Sequence, residues 1–193
     1  MSSSETDIDD RIGARIRELR AERRLTLDSL ARLAEVSRAM LSRIERGESS
    51  PTAQLLGKIC GGLGVTLSVL FAGAETRASP LSRRSAQPVW RDPATHYQRR
   101  HVSPPGTGSP VDIVEVEFPP RGSVAFDNQR LAGTDQHVWV LDGTLELELG
   151  EEVFRLDRGD CLLMRFDRPI RFRNPTGRPI RYAVIVSHGA ARL

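Results

Sequence analysis

The sequence predicts two domains of opposite class: an all-α bundle of five helices over residues 8–72, a linker at 73–87, and an all-β barrel over 88–193. Three observations carry that division. From Ile8 to about Phe71 the apolar residues recur at helical spacing. From Val111 onward they alternate over short runs broken by Gly, Pro and Asp, as half-buried strands do. Between them, "AGAETRASPLSRRSAQP" has neither period and is rich in Ala, Ser, Arg and Pro, the composition of a linker. A chain of 193 residues is long enough for two small domains, each with its own core.

Taken in order, Ile12, Ile16 and Leu19 mark the first helix, which also carries Arg15 and Arg20. The polar, acidic "MSSSETDIDD" before it lacks the basic start and apolar middle of a signal peptide and reads as a loose tail. Thr26 caps a second helix with Leu27, Leu30, Ala31 and Ala34 as its apolar residues. Ser37 caps a third, with Leu41 and Ile44 inward and Gly47 as its stop. Pro51 and Thr52 open a fourth, buried along Leu55, Leu56, Ile59 and Leu63, and Thr66 caps a last short helix, "LSVLF". In the second half, "VDIVEVEF" alternates, and "HVWVLDGTLELEL" reads as two strands hinged at Asp142-Gly143, a hairpin signal. "EEVFRL", "DCLLMRF", "PIRFRN" and "PIRYAVIV" follow, so that seven or more short strands predict a barrel or sandwich.

Composition narrows the function classes. No apolar run approaches the ~20 residues of a membrane span, so no membrane partner is expected. Two cysteines, Cys60 and Cys161, exclude a disulfide framework and fit a cytoplasmic location. The net charge is a mild +3, but Lys58 is the sole lysine, and arginine suits two-pronged contacts to phosphate and guanine.

The stretch "SRAMLSRIERG", following a capped helix and a short turn, is a helix-turn-helix arrangement. With Leu41 and Ile44 inward, Arg38, Ala39, Ser42 and Arg43 share the outer face near the N-terminal end, which meets base edges when such a helix enters a major groove. Helix N-termini at Thr26 and Thr52 offer backbone N–H groups to phosphates, and Ser49 and Ser50 add hydroxyls. A solvated basic face is the bland alternative for one helix taken alone. The five-helix pattern, above all "VSRAMLSRIERGESSPTAQLLGKICGGLGV", resembles the lambda-repressor-like domain of the xenobiotic-response-element (XRE) family of regulators. The resemblance implies base reading by Ser37, Arg38, Ala39, Ser42 and Arg43, with Met40, Arg46, Ser50 and Thr52 near the backbone of double-stranded DNA. It also implies a structural ion pair between Arg20 and Glu45. Two positions depart from the family: Leu27 stands where a phosphate-bracing Gln is usual, and Glu35 stands where Gly usually takes a left-handed turn, at a cost of about 1 kcal/mol.

The strand half, most clearly "HVWVLDGTLELELG" and "RLDRGDCLLMRFDRPIRFRN", resembles the cupin barrel, a double-stranded β-helix or jelly roll, and an XRE-type head before a cupin is a regulator layout. Metal-binding cupins bring three His and one Glu to the barrel. The resemblance puts Asn128, Arg130, Gln136 and Ile170 at those places, so neither a metal nor another cofactor is expected. His137 is adjacent, but alternation turns it and Trp139 outward while Gln136, Val138 and Val140 face in; His96, His101 and His188 show no ligand spacing. A chamber lined by Asn128, Arg130, Gln136, Val138, Ile170 and Phe172 suits a small anionic effector, with Arg130 as a two-pronged carboxylate partner; the competing expectation is an interior filled by side chains. One small head buries little surface on DNA, so a homodimer on a near-palindromic operator is expected, with the outward side of "HVWV" as a contact. The rival is a metal-dependent cupin dioxygenase or isomerase with an appended helical domain, which needs metal ligands or an acid–base pair that the motif lacks. A third possibility, an antitoxin-like module, keeps the DNA head and makes the barrel a docking site for a protein.

Overall fold

The computed structural model describes the chain except residues 1–2, 72–78, 127–133, 166 and 189–193, and for residues 3–7 and 188 it describes the backbone alone. The helices are α1 (Ser3–Glu22), α2 (Leu27–Leu33), α3 (Arg38–Glu45), α4 (Ala53–Leu63) and α5 (Leu67–Phe71). Local chemistry starts four of them alike: the hydroxyls of Thr26, Ser37, Thr52 and Thr66 accept the amides of Ser29, Met40, Leu55 and Val69. The stop expected at Gly47 is a left-handed residue at φ +70°, and Gly64 ends α4 at φ +66°. Glu35 holds φ +53°, the strained turn between α2 and α3. One expectation is corrected: α1 begins at Ser3, so residues 3–7 are helical instead of a tail. Ile12, Ile16, Leu19, Leu30, Leu41, Ile44, Leu56, Ile59 and Leu63 form the bundle core. Gly13 lets α1 and α3 meet closely; a Cβ there would overlap the Ile44 carbonyl.

Ten strands follow: β1 (Val89–Arg91), β2 (Gln98–His101), β3 (Val111–Phe118), β4 (Ser123–Phe126), β5 (Thr134–Asp142), β6 (Thr144–Leu149), β7 (Glu152–Asp157), β8 (Cys161–Arg165), β9 (Ile170–Arg173) and β10 (Ile180–His188). They make two antiparallel sheets, one ordered β1-β2-β3-β10-β5-β8 and the other β4-β9-β6-β7. From β3 onward the chain changes sheet at every connection except β6 to β7, as in a jelly roll. The hairpin expected at Asp142-Gly143 does not form: β5 pairs with β10 and β8, while β6 pairs with β7 and β9. Gly143, at φ +84°, is the corner where the chain changes sheet, and a Cβ on it would stand 2.5 Å from Ile180 Cγ2. The two-residue hairpin lies one strand later, at Gly150-Glu151, closing β6 on β7.

The bundle rests on the barrel. Asp92, buried just after β1, accepts the Ala53 amide at 2.8 Å and the Thr95 amide at 2.8 Å, so a barrel carboxylate caps the start of α4. From α5, Phe71 begins a run of ring contacts through Trp90, Tyr97, Phe118, Tyr182 and Phe172 to Phe126, with neighbouring centroids 5.4–6.3 Å apart. The two hydrophobic cores are thereby continuous.

Candidate nucleic-acid interface and barrel cavity

Helix α3 is fastened from behind and open in front. Its last residue, Glu45, is buried and takes Arg20 Nε at 2.7 Å and Nη2 at 2.8 Å; that bonding raises the Arg20 pKa. At the front, Ser37, Arg38, Ala39 and Arg43 are exposed and Ser42 is half-buried. Arg38 Nε lies 3.0 Å from Asp28 Oδ1 on α2, with both side chains about two-thirds exposed. Such a surface pair is worth roughly 0–1 kcal/mol, little enough to exchange for a base edge. Arg43 makes a long contact, 3.5 Å, to the Glu48 carbonyl and has no carboxylate within ion-pair distance among the described residues.

The expected phosphate contacts fare unequally. Arg46 is held by both Glu48 carboxylate oxygens, at 2.6 and 2.7 Å, and also bonds Ser42 Oγ. The same contact raises the Arg46 pKa and lowers that of Glu48, so a phosphate must displace Glu48 to take Arg46. Thr26 is exposed beside its capped helix, and Ser49 Oγ lies 3.9 Å from Met40 Sδ, itself half-buried. Ser50 donates to the buried Asp9 carboxylate. At the Thr52 end of α4 two of the amides are already taken: Thr52 Oγ1 accepts Leu55 N–H, and Asp92 accepts Ala53 N–H. A carboxylate arriving from a distant strand is invisible to local sequence.

In the barrel, side chains fill most of the interior, leaving a cavity of about 50 Å³ beside the bundle. Gln136, Ile170 and Phe172 line it as expected of them. Val138 is fully buried yet is not among the lining residues, and Asn128 and Arg130 lie outside the described residues. The residues that sequence reasoning missed are Arg99, Tyr97 and Tyr182, together with Thr66, Leu67 and Ser68 at the start of α5. Arg99 is 8% exposed; its Nη2 donates to Ser68 Oγ at 2.9 Å, and its guanidinium lies 5.7 Å from the Phe71 ring centroid. Desolvation lowers its pKa and raises those of Tyr97 and Tyr182, so both phenols stay protonated. One signal was available: Arg99 and His101 alternate on one side of β2, Tyr97 precedes them at the same spacing, and all three are buried.

Among the described residues the lining donors do not fit a divalent metal. A permanent cation, Arg99, shares the chamber, Ile170 stands at a ligand place, and the Gln136 amide nitrogen points to Met164 Sδ at 3.6 Å. Among the described residues no three His, Cys, Asp or Glu side chains cluster closely enough to hold a metal ion. His137 is half-buried and lies opposite Ile185 and Leu163, on the alternating positions that face away from Gln136 and Val138. Cys60, buried, has its thiol pushed up to about 12 by desolvation and is unreactive.

An arginine-bearing third helix, open in front and carried by a bundle that leans on a jelly roll, defines a DNA-binding protein with a β-barrel domain. Comparison with known proteins agrees. A helix-turn-helix family model matches residues 16–70. The HTH-type transcriptional regulator SutR of Escherichia coli is 27% identical over 174 residues, spanning 90% of this chain and 92% of that protein. The control protein C.MunI of a Mycoplasma species is 39% identical over 70 residues, 36% of this chain and 95% of that one. The crystal structure of an HTH_3 family transcriptional regulator from Vibrio cholerae superposes with a TM-score of 0.77 at 26% identity, covering 96% of this chain and 99% of that one. The chain belongs to the XRE-type helix-turn-helix family of transcriptional regulators, here with a C-terminal jelly-roll barrel.

Proposed function

We propose that this regulator binds a near-palindromic operator as a homodimer in the cytoplasm, reads it with α3, and answers to a small anionic metabolite in a metal-free barrel that performs no catalysis. The open front of α3 carries the DNA reading. Arg38 and Arg43 take guanine edges, Ala39 a thymine methyl, and Ser37 and Ser42 the neighbouring polar edges. Arg46, once released from Glu48, Thr26 and Ser49 meet phosphates. The geometry supports this because Ser37, Arg38, Ala39 and Arg43 are exposed on the reading face.

Dimerisation uses the outer face of the larger sheet. Ile113, Ile185, His137 and Leu163 stand opposite one another in a single row across four strands, with Trp139 in the next row, 46% exposed. A second copy of this chain is the occupant, because two heads on one symmetric platform meet half-sites about one helical turn apart. The enzyme alternative gains no support from the described cavity wall, whose one permanent charge among the described residues is a guanidinium, too basic to serve as an acid or a base.

Operator fragments recovered by genomic selection supply the test. Arg43→Ala is expected to cost roughly 1–3 kcal/mol on the selected site with little change on random duplex. Arg46→Ala is expected to weaken both and to reduce the salt slope by about 1. Equal losses on both duplexes for Arg43→Ala overturn the base-reading role. A wild-type monomer in light scattering at micromolar concentration overturns the dimer.

A further inference from the structure

We propose that the barrel cavity is a site for a short-chain carboxylate held between the Arg99 guanidinium and the Ser68 hydroxyl of α5, so that the ligand is bound only while the helical bundle is docked on the barrel. The inference rests on the reading of the barrel as a sensor and adds the ligand class, its anchor and its route to the DNA head.

Arg99 carries the first part. It is more than nine-tenths buried, and among the described residues no carboxylate lies within ion-pair distance of it. Its one hydrogen bond within that set uses a single N–H of the five that a guanidinium offers. Asp112 acts on it through its charge without contact; a desolvated charge without a contacting counter-charge opposes folding, and such groups gather where the charge has a task. The remaining fork matches the two oxygens of a carboxylate. Tyr97 and Tyr182 line the same cavity, are protonated, and make no hydrogen bond to a described residue, so both can donate to the same anion. Val116, Val124, Val184 and Val186 make the remaining wall apolar, suited to a short alkyl tail.

Size decides the class. About 50 Å³ is room for roughly three to five water-sized groups. That admits a two- to four-carbon acid and excludes a nucleotide or a sugar.

The wall decides the consequence. Thr66, Leu67 and Ser68 close the cavity, and they belong to the DNA-binding bundle. Ser68 accepts from Arg99, which leaves its own hydroxyl proton for the carboxylate. A ligand touching both partners binds the docked arrangement more tightly than the released one, and by linkage it holds the head in place. A fixed pair of heads matches one half-site spacing.

The experiment is titration calorimetry of the full chain with acetate, propionate, pyruvate and lactate, with acetamide as the uncharged control, alongside hydrogen exchange of the α5 amides. At least one carboxylate is expected to bind ten-fold or more tighter than acetamide and to slow exchange in α5. Arg99→Met should lose at least ten-fold in affinity while the melting temperature stays level or rises, because an unpaired buried charge has gone; a mere interdomain staple would lower it. Arg99→Lys keeps the charge without the fork and should bind weakly. Ser68→Ala should weaken binding several-fold. Carboxylate binding that survives Arg99→Met, or that leaves α5 exchange unchanged, overturns the proposal while the barrel remains a sensor. If none of the four acids binds, the small-anion reading falls with it.

Discussion

Replacing Glu45 with Ala tests what holds the reading helix in place. The substitution deletes two charge-assisted hydrogen bonds, at 2.7 and 2.8 Å, from Arg20, whose side chain is 19% exposed against 7% for Glu45. Breaking a buried pair from one side costs roughly 3–5 kcal/mol, because the other charge stays buried and unpaired. Arg20 keeps its bond to the Leu25 carbonyl at 3.1 Å and reaches solvent in part, which puts the loss at the lower end, about 3 kcal/mol. For a domain of this size each kcal/mol moves the melting point by about 4–8 °C, so the bundle transition should fall by about 12–24 °C. Far-ultraviolet circular dichroism of the full chain measures it, and operator binding below the new transition reports whether α3 still seats. The double variant Arg20→Met with Glu45→Leu removes both charges and should recover most of the loss. A single Ala substitution costing under about 1 kcal/mol would show that the pair behaves as an exposed one, and the account of α3 as fastened from behind would be wrong.

Glu35→Gly relieves a left-handed residue at φ +53° on the surface; against glycine's greater chain entropy the net gain should be about 0.5 kcal/mol in chemical denaturation. Gly143→Ala does the opposite, adding positive-φ strain and a clash with the fully buried Ile180, at a cost of about 2–4 kcal/mol in the same assay. His101 has its pKa lowered, first by burial and then by the Arg99 charge against the opposing pull of Asp112, and its Nδ1 has no hydrogen-bond partner among the described residues. Because the folded state resists protonation, the unfolded chain binds the extra proton first. Stability should therefore be intact above about pH 6.5 and fall as pH drops below it, and His101→Phe should flatten that slope in melts between about pH 7 and 5.

Much of the molecule is readable one element at a time. Caps at Thr26, Ser37 and Thr52 act over three residues, and the inward stripe of α3, Leu41 and Ile44, follows from its period, so the open face of Ser37, Arg38, Ala39 and Arg43 follows too. Turn chemistry misled at Asp142-Gly143, because a glycine at positive φ states how the backbone bends and not which sheet receives the next strand. Arg99 was overlooked because "QRRH" reads as solvated when neither its burial nor its neighbours can be seen.

The sequence by itself determined the two classes of domain, the helices of the first and the arginine-bearing face. Those depend on periodicity and on contacts a few residues long. Tertiary structure alone decided that Asp92 caps α4, that Ser68 and Phe71 meet Arg99, and that the last helix of the DNA-binding bundle closes the barrel's cavity. Each of these joins residues about thirty or more apart in the chain. A buried carboxylate or guanidinium is set by whichever partner arrives across that gap, and no local pattern records the arrival.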